Sequence, residues 1–213
     1  MRRNSAPVPR SLPPRTLIVA TSNPGKLREF GELLAGLPFD LLGLADAGLT
    51  SPEETGSSFL ENALLKARHA AARGAPQGAA AIADDSGLEV DALGGAPGIH
   101  SARYAGPAAD DAANNAKLLS ALAGVAWERR QARYRCALVL VRGADDESPL
   151  IAEGVWEGYI AAAPQGAGGF GYDPYFFVPA LGKTAAQLDA QTKNRLSHRG
   201  IALRALRAQL AAL

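Results

Sequence analysis

Two periods of apolar and polar residues run along this chain, and the switches between them mark out its elements. Residues 16–20 (TLIVA) form a short β-branched apolar run, the pattern of a buried strand. A small, polar turn follows, after which Leu27, Phe30, Leu33, Leu34 and Leu37 recur at helical spacing. Asn23 predicts an N-cap, with Pro24 at the first helical position. Ser58-Phe59-Leu60-Glu61 predicts a capping box opening a second helix. Phe59, Leu60, Ala63, Leu64, Ala67 and Ala71 form its buried side, while Asn62, Lys66, His69 and Arg73 line up as a polar stripe, with His69 on the helix surface. Residues 79–83 read as a strand ending in the acidic pair Asp84-Asp85. A helix over about 110–123 carries Leu118, Leu119 and Leu122. Residues 133–141, 150–160 and 174–178 read as strands, 166–171 as a glycine-rich loop, and a helix from about 198 to 210 closes the chain. The Ala-rich stretches look like helix filler. This mixture predicts an α/β fold around a mixed sheet, with no internal repeat.

Composition narrows the class of protein. A length of 213 residues suits one domain with room for two lobes, and the hydrophobic (47%) and charged (20%) fractions are those of a globular chain. Lys+Arg 22 against Asp+Glu 21 leaves a net charge of +1, so no global field draws the protein to nucleic acid or a membrane. Any anion site must come from local placement of a few groups. The single cysteine, Cys136, excludes an internal disulfide and a multi-thiolate zinc site, and it fits a reducing cytoplasm. No apolar run reaches the ~18 residues of a membrane span. Residues 1–15 (MRRNSAPVPRSLPPR) follow their two arginines with prolines and polar residues instead of an apolar stretch. They are expected to be a disordered tail before a single domain over 16–213.

Four segments carry candidate chemistry. In Thr21-Ser22-Asn23-Pro24-Gly25-Lys26, small residues let a ligand approach the backbone, helix-start amides attract an anion, and Lys26 adds a full charge. The spacing of a Walker A loop is absent, and an ordinary strand–helix turn with a surface lysine is the bland alternative. Asp84-Asp85-Ser86-Gly87 holds adjacent carboxylates that need compensation, for which Mg²⁺ with substrate phosphates is suited, and Glu53 or Glu54 could complete the site. A turn ahead of Gly87 would also account for the segment. In Gly168-Gly169-Phe170-Gly171-Tyr172-Asp173-Pro174, glycines free an aromatic ring for stacking on a planar base, and Asp173 could accept from base N–H groups; a tight turn is the alternative. Finally, Lys193 and Ser197-His198-Arg199-Gly200 bring fixed donors and a point charge to the start of the last helix, where surface decoration is the commoner role.

Taken in order, VATSNPGKLREF, EETGSSFLENALLKARHAA, IADDSGLEVDALGGAPGIHSARYAG, GGFGYDPYFFVP and KNRLSHRG closely resemble the inosine/xanthosine triphosphate pyrophosphatase family. The resemblance spans roughly residues 16–210. It implies an elongated two-lobed fold around a long twisted mixed β-sheet flanked by helices, with the site in a cleft between lobes, and a homodimer. It further implies hydrolysis of ITP, dITP and XTP with Mg²⁺. On this resemblance Thr21, Ser22, Asn23, Pro24, Gly25 and Lys26 hold the triphosphate, Asp85 is the catalytic residue and a metal ligand, and Glu53 is the second metal carboxylate. Ser86 touches the substrate. Phe170, Gly171, Tyr172 and Asp173 form the base loop, with Phe170 stacking on the purine, and Lys193, His198 and Arg199 complete recognition of base and phosphate. Ser22 stands where the family more often has Gly or Asn, and it is still small. A pyrophosphatase for pyrimidine or modified nucleotides, or a nucleotide-binding regulator that does not hydrolyse, would share much of this pattern.

Overall fold

The computed structural model describes residues 16–74 and 79–212, so the tail expected over 1–15 lies outside the described residues. The first strand, β1 (Thr16–Val19), is apolar after its exposed Thr16 because a strand covers each of its edges, with Leu17, Ile18 and Val19 fully buried. It pairs in parallel with β2 (Asp40–Gly43) on one side and β3 (Ala80–Val90) on the other. From β3 onward the sheet is antiparallel, through β4 (Gln131–Val141), β5 (Leu150–Ile160), β6 (Phe176–Val178) and β7 (Lys183–Thr184). The result is a seven-stranded mixed sheet in the order β2-β1-β3-β4-β5-β6-β7. Among the described residues five α-helices flank it: α1 (Pro24–Leu33), α2 (Phe59–Arg73), α3 (Asp111–Ala121), α4 (Ala190–Leu196) and α5 (His198–Ala211). The α/β class with a mixed sheet is therefore as the sequence predicts.

Strand alternation sorts the side chains into layers. Leu17, Val19, Ile82 and Leu138 face α1 and α5, meeting Phe30, Leu203 and Leu206. Ile18, Ala81, Ala83, Ala137 and Val139 face α2. There Ala63, Ala67 and Ala70 are all fully buried, so the alanines are close-packing surface between helix and sheet and not filler. A third cluster joins Leu88, Val90, Tyr134, Trp156 and Phe176 to Leu118 of α3 and its C-cap Leu122.

Several boundaries differ from expectation, each for a tertiary reason. β3 does not stop at the acidic pair; it runs on to Val90 because β4 pairs with it residue for residue from Ala81 to Val90. Asp84-Asp85-Ser86-Gly87 is thus mid-strand, not a strand end or a turn. The polar stripe of α2 also divides: Asn62 and Lys66 are buried, whereas His69 is half-buried and Arg73 exposed. Only half of the capping box forms. Ser58 Oγ accepts from Glu61 N at 3.2 Å, but the Glu61 carboxylate turns to Ser57, whose amide and hydroxyl both lie at 2.7 Å and offer two bonds in place of one. The short elements β2, β7 and α4 have no periodic signature in the sequence.

Helix α5 lies unusually close to β5. A methyl group at Gly154 would run into the backbone carbonyl of His198 and sit 2.8 Å from Ala202 N. Because His198 and Arg199 begin α5, the glycine sets how near those side chains come to the sheet. Gly154→Ala is expected to destabilise the protein by about 1–3 kcal/mol through overpacking against backbone. An unchanged urea midpoint would show that α5 can move aside freely.

Candidate active site

Alternation along β3 decides the geometry of the acidic pair. Consecutive residues point to opposite faces of a strand, so Asp84 faces the α1/α5 layer and Asp85 the α2 layer. The two carboxylates that looked like neighbours in one site have separate partners.

Asp84 is buried at the end of a line of ion pairs. Its Oδ2 accepts from Arg199 Nε (3.1 Å) and Nη2 (2.8 Å) and from Ser86 Oγ (2.9 Å), with Lys26 Nζ at 3.1 Å. Its Oδ1 has no hydrogen-bond partner among the described residues. Burial alone would raise the Asp84 pKa, but Arg199, Lys26 and Lys66 outweigh it and hold the carboxyl far below the usual range. Arg199 also donates through Nη1 to Glu29 of α1 and through Nη2 to Ser86. Four of the five guanidinium N–H groups are thereby used, and one Nη1 hydrogen is left to offer a ligand. The line continues as Lys193 Nζ bridges Glu29 (2.9 Å) and Asp173 (2.7 Å). Asp173 also accepts from Phe170 N and Tyr134 Oη. Burial raises the Asp173 pKa against the pull of Lys193.

On the other face, Asp85 accepts from Lys66 Nζ (2.9 Å) and Asn62 Nδ2 (3.2 Å). Burial raises its pKa, and Lys66 and Lys26 offset that only in part. Lys66 reaches Glu54 at 2.8 Å as well, and Arg103 holds the other Glu54 oxygen at 3.0 Å. Among the described residues no group of three or more His, Cys, Asp or Glu is placed to hold a metal ion, so any metal here rests on this carboxylate pair and on what a ligand brings.

These groups line one cleft with a cavity of about 280 Å³. Thr21, Ser22, Asn23, Lys26, Asp85, Ser86, Phe170, Gly171, Tyr172, Asp173, Lys193, His198 and Arg199, all expected from sequence, meet there. Pro24 and Gly25 continue the turn into α1 outside the lining. Glu53 is exposed and outside it too, whereas its neighbour Glu54 lines the cleft. In the turn, Asn23 caps α1 as predicted, and its Oδ1 takes Gly25 N (2.8 Å) and Lys26 N (3.1 Å), amides that an anion would otherwise meet. The Phe170 ring lies over Gly25, where an added methyl would be 2.6 Å from Cδ1, and Lys193 Nζ sits 4.8 Å from its centroid. The base loop is pinned from α3: Asp111 accepts from Gly171 N (2.6 Å) and Asn115 Nδ2 donates to Gly171 O (2.9 Å).

The residues that sequence reasoning missed are mostly these supports. Glu29, Asp111 and Asn115 carry no local motif. Asn62 and Lys66 had a faint signal, since each sits beside an alanine of the buried face, where a solvated polar residue is out of place.

An open mixed sheet with a cleft that combines carboxylates, several lysines and a half-buried aromatic ring defines an α/β protein with the groups to bind a polyanion bearing a flat ring. The chain belongs to the Ham1 family, whose model matches residues 17–209. A dITP/XTP pyrophosphatase of Methylococcus capsulatus is 56% identical over 199 residues, covering 93% of this chain and 98% of the relative. One of Yersinia pseudotuberculosis is 56% identical over 188 residues, covering 88% and 94%. The solved structure of a HAM1 protein from Coxiella burnetii superposes with a TM-score of 0.84 at 46% identity, covering 93% of this chain and 99% of that one.

His198 makes the stability of the fold depend on pH. Its ring is buried, stacks on Tyr134 (centroids 4.7 Å apart, 12° between planes), and its Nδ1 has no hydrogen-bond partner among the described residues. Burial, reinforced by Arg199, holds its pKa well below the ordinary 6.5, so the folded protein keeps a neutral imidazole. Below pH ~6.5 the unfolded chain takes up a proton that the folded one refuses, and stability falls as pH drops, by at most ~1.4 kcal/mol per pH unit from this group. Urea unfolding between pH 7.5 and 5.5 should show a shallower slope in His198→Gln than in the wild type; equal slopes would refute the assignment.

Proposed function

We propose that this protein hydrolyses deaminated purine nucleoside triphosphates, ITP, dITP and XTP, to the monophosphate and pyrophosphate, removing them before they enter DNA or RNA. The observation that carries the reading is the set of groups gathered in one cleft. Lys26 with the turn 21–26, Asp85 with Lys66 and Glu54, and Phe170 with Asp173 and Lys193 all line it. That set supplies cations for a triphosphate, carboxylates for the scissile phosphorus and a ring for the base. The name dITP/XTP pyrophosphatase carried by relatives of over half identity supports the same substrate class.

Mg²⁺ is the cofactor of this reading. Asp85 and Glu54 are hard oxygen donors in the cleft, and Mg²⁺ takes one or two carboxylates and completes its shell with phosphate oxygens and water. When bound, the ion neutralises charge developing on the phosphate oxygens. Lys26 adds a positive charge beside the leaving pyrophosphate. Asp85 orients the attacking water and takes its proton as the water oxygen bonds to the α-phosphorus and the bond to the α–β bridging oxygen breaks. At the base end, hypoxanthine and xanthine show an O6 acceptor and an N1–H donor. Adenine reverses O6 to a donor and lacks N1–H, so the remaining Arg199 N–H and the Lys193 ammonium would face a donor. Leaving buried groups unpaired in this way discriminates by ~10⁴ or more. The reading includes a homodimer acting in the cytoplasm on free nucleotides, which the balanced charge of +1 suits better than nucleic acid or membrane.

A nucleotide panel with Mg²⁺, scored for pyrophosphate release, should show ITP and XTP turned over far faster than ATP or GTP. Comparable rates for all would sink the selectivity. Asp85→Asn is expected to lower kcat by at least ~10²-fold with the fold retained by circular dichroism, the scale typical of a lost general base. Near-normal turnover in that variant would reject the role given to Asp85.

A further inference from the structure

Every oxygen of the carboxylate pair Asp85 and Glu54 in the cleft already has a donor. Asp85 Oδ1 faces Lys66 Nζ at 2.9 Å and Oδ2 faces Asn62 Nδ2 at 3.2 Å. Glu54 Oε1 faces the same Lys66 Nζ at 2.8 Å and Oε2 faces Arg103 Nη1 at 3.0 Å. Lys66 thus bridges the two carboxylates from the position that a shared cation would take, and its side chain is only 7% exposed. Two negative charges (Asp85, Glu54) meet two positive ones (Lys66, Arg103), so the pair has no net charge with which to attract a bare ion.

We propose that Lys66 is an internal counter-cation that keeps the divalent-ion position closed until a triphosphate arrives, so that ion and nucleotide enter as one unit. The inference rests on the Mg²⁺ reading given above. A divalent ion alone would have to displace Lys66 and leave its ammonium in a buried place without an acceptor, which is costly. A triphosphate changes that balance, because its oxygens offer the displaced ammonium new acceptors in the same cleft. Lysine is suited to such an exchange, being a point charge on a flexible four-carbon stem. Asn62 is neutral and stays on Asp85 to hold the carboxylate's orientation, while Arg103, half-exposed, can release Glu54 to solvent. Lys66 therefore couples two ligands that never compete for it at the same time.

The test measures ion binding, not turnover. Mn²⁺ is titrated into the full-length protein without nucleotide, and free Mn²⁺ is counted by electron paramagnetic resonance. Lys66→Met is expected to bind Mn²⁺ about 10-fold more tightly than the wild type, within the usual range of coupling between sites. Arg103→Gln is expected to shift affinity the same way by a smaller factor. A residue that only supported the fold would, when replaced, weaken ion binding. Should Lys66→Met not fold, Arg103→Gln at its half-exposed position decides by the same sign. Unchanged or weaker Mn²⁺ binding in the variants, while the wild type binds Mn²⁺ together with a non-hydrolysable ITP analogue, overturns the inference. If the wild type takes up no Mn²⁺ even with the analogue, the Mg²⁺ reading itself falls and the inference goes with it.

Discussion

The buried ion pair between Asp84 and Arg199 is the constraint on which the rest of the site depends. Both side chains are almost completely shielded, and removing two ions from water costs several kcal/mol each unless hydrogen bonds and opposite charge offset it. The offset comes from three elements at once: β3 supplies Asp84 and Ser86, α5 supplies Arg199, and α1 supplies Lys26 and Glu29. The pair therefore fixes the angle at which α1 and α5 meet the sheet. From Arg199 the same chain of charges runs through Glu29 and Lys193 to Asp173, which in turn receives the amide of Phe170. The turn that carries Lys26 and the loop that carries Phe170 are thus tied into one continuous network.

That network gives the cleft a particular character. Lys26, Lys66, Arg103, Lys193 and Arg199 all rest on Asp84, Asp85, Glu29, Glu54 and Asp173. Five cations meet five carboxylates, and even the amides at the start of α1 are satisfied by Asn23. A polyanion entering such a site exchanges partners with the protein and does not simply add to an open positive patch. This suits a chain of nearly balanced overall charge, since affinity then depends on a ligand that can replace several partners together.

Much of the fold was legible because it is written in local periodicity. The strand at 16–19, the cap at Asn23, the helix from Phe59 and the long strands over 131–141 and 150–160 follow from apolar spacing and capping residues. The end of β3 was misread because acidic residues and a glycine look like a strand terminus, and only pairing with β4 keeps them extended. Lys66 and Asn62 fall on the polar stripe of α2 in sequence but are buried in the fold, because helical periodicity reports two faces and cannot say that the rim of one closes over a cleft. Glu29 and Asn115 are more distant cases, because their partners lie across the fold, Arg199 at 170 residues and Gly171 at 56.

The sequence by itself determined the α/β class, the order of the chemical segments and most of the residues that line the cleft, because those properties follow from composition, spacing and motif. Tertiary structure alone decided how the carboxylates divide. Alternation in a strand that continues past the acidic pair sends Asp84 to Arg199 on one face and Asp85 to Lys66 on the other. The identity of a charge is local, but its partner is set by which elements the sheet brings to each face, and that is settled only when the whole chain has folded.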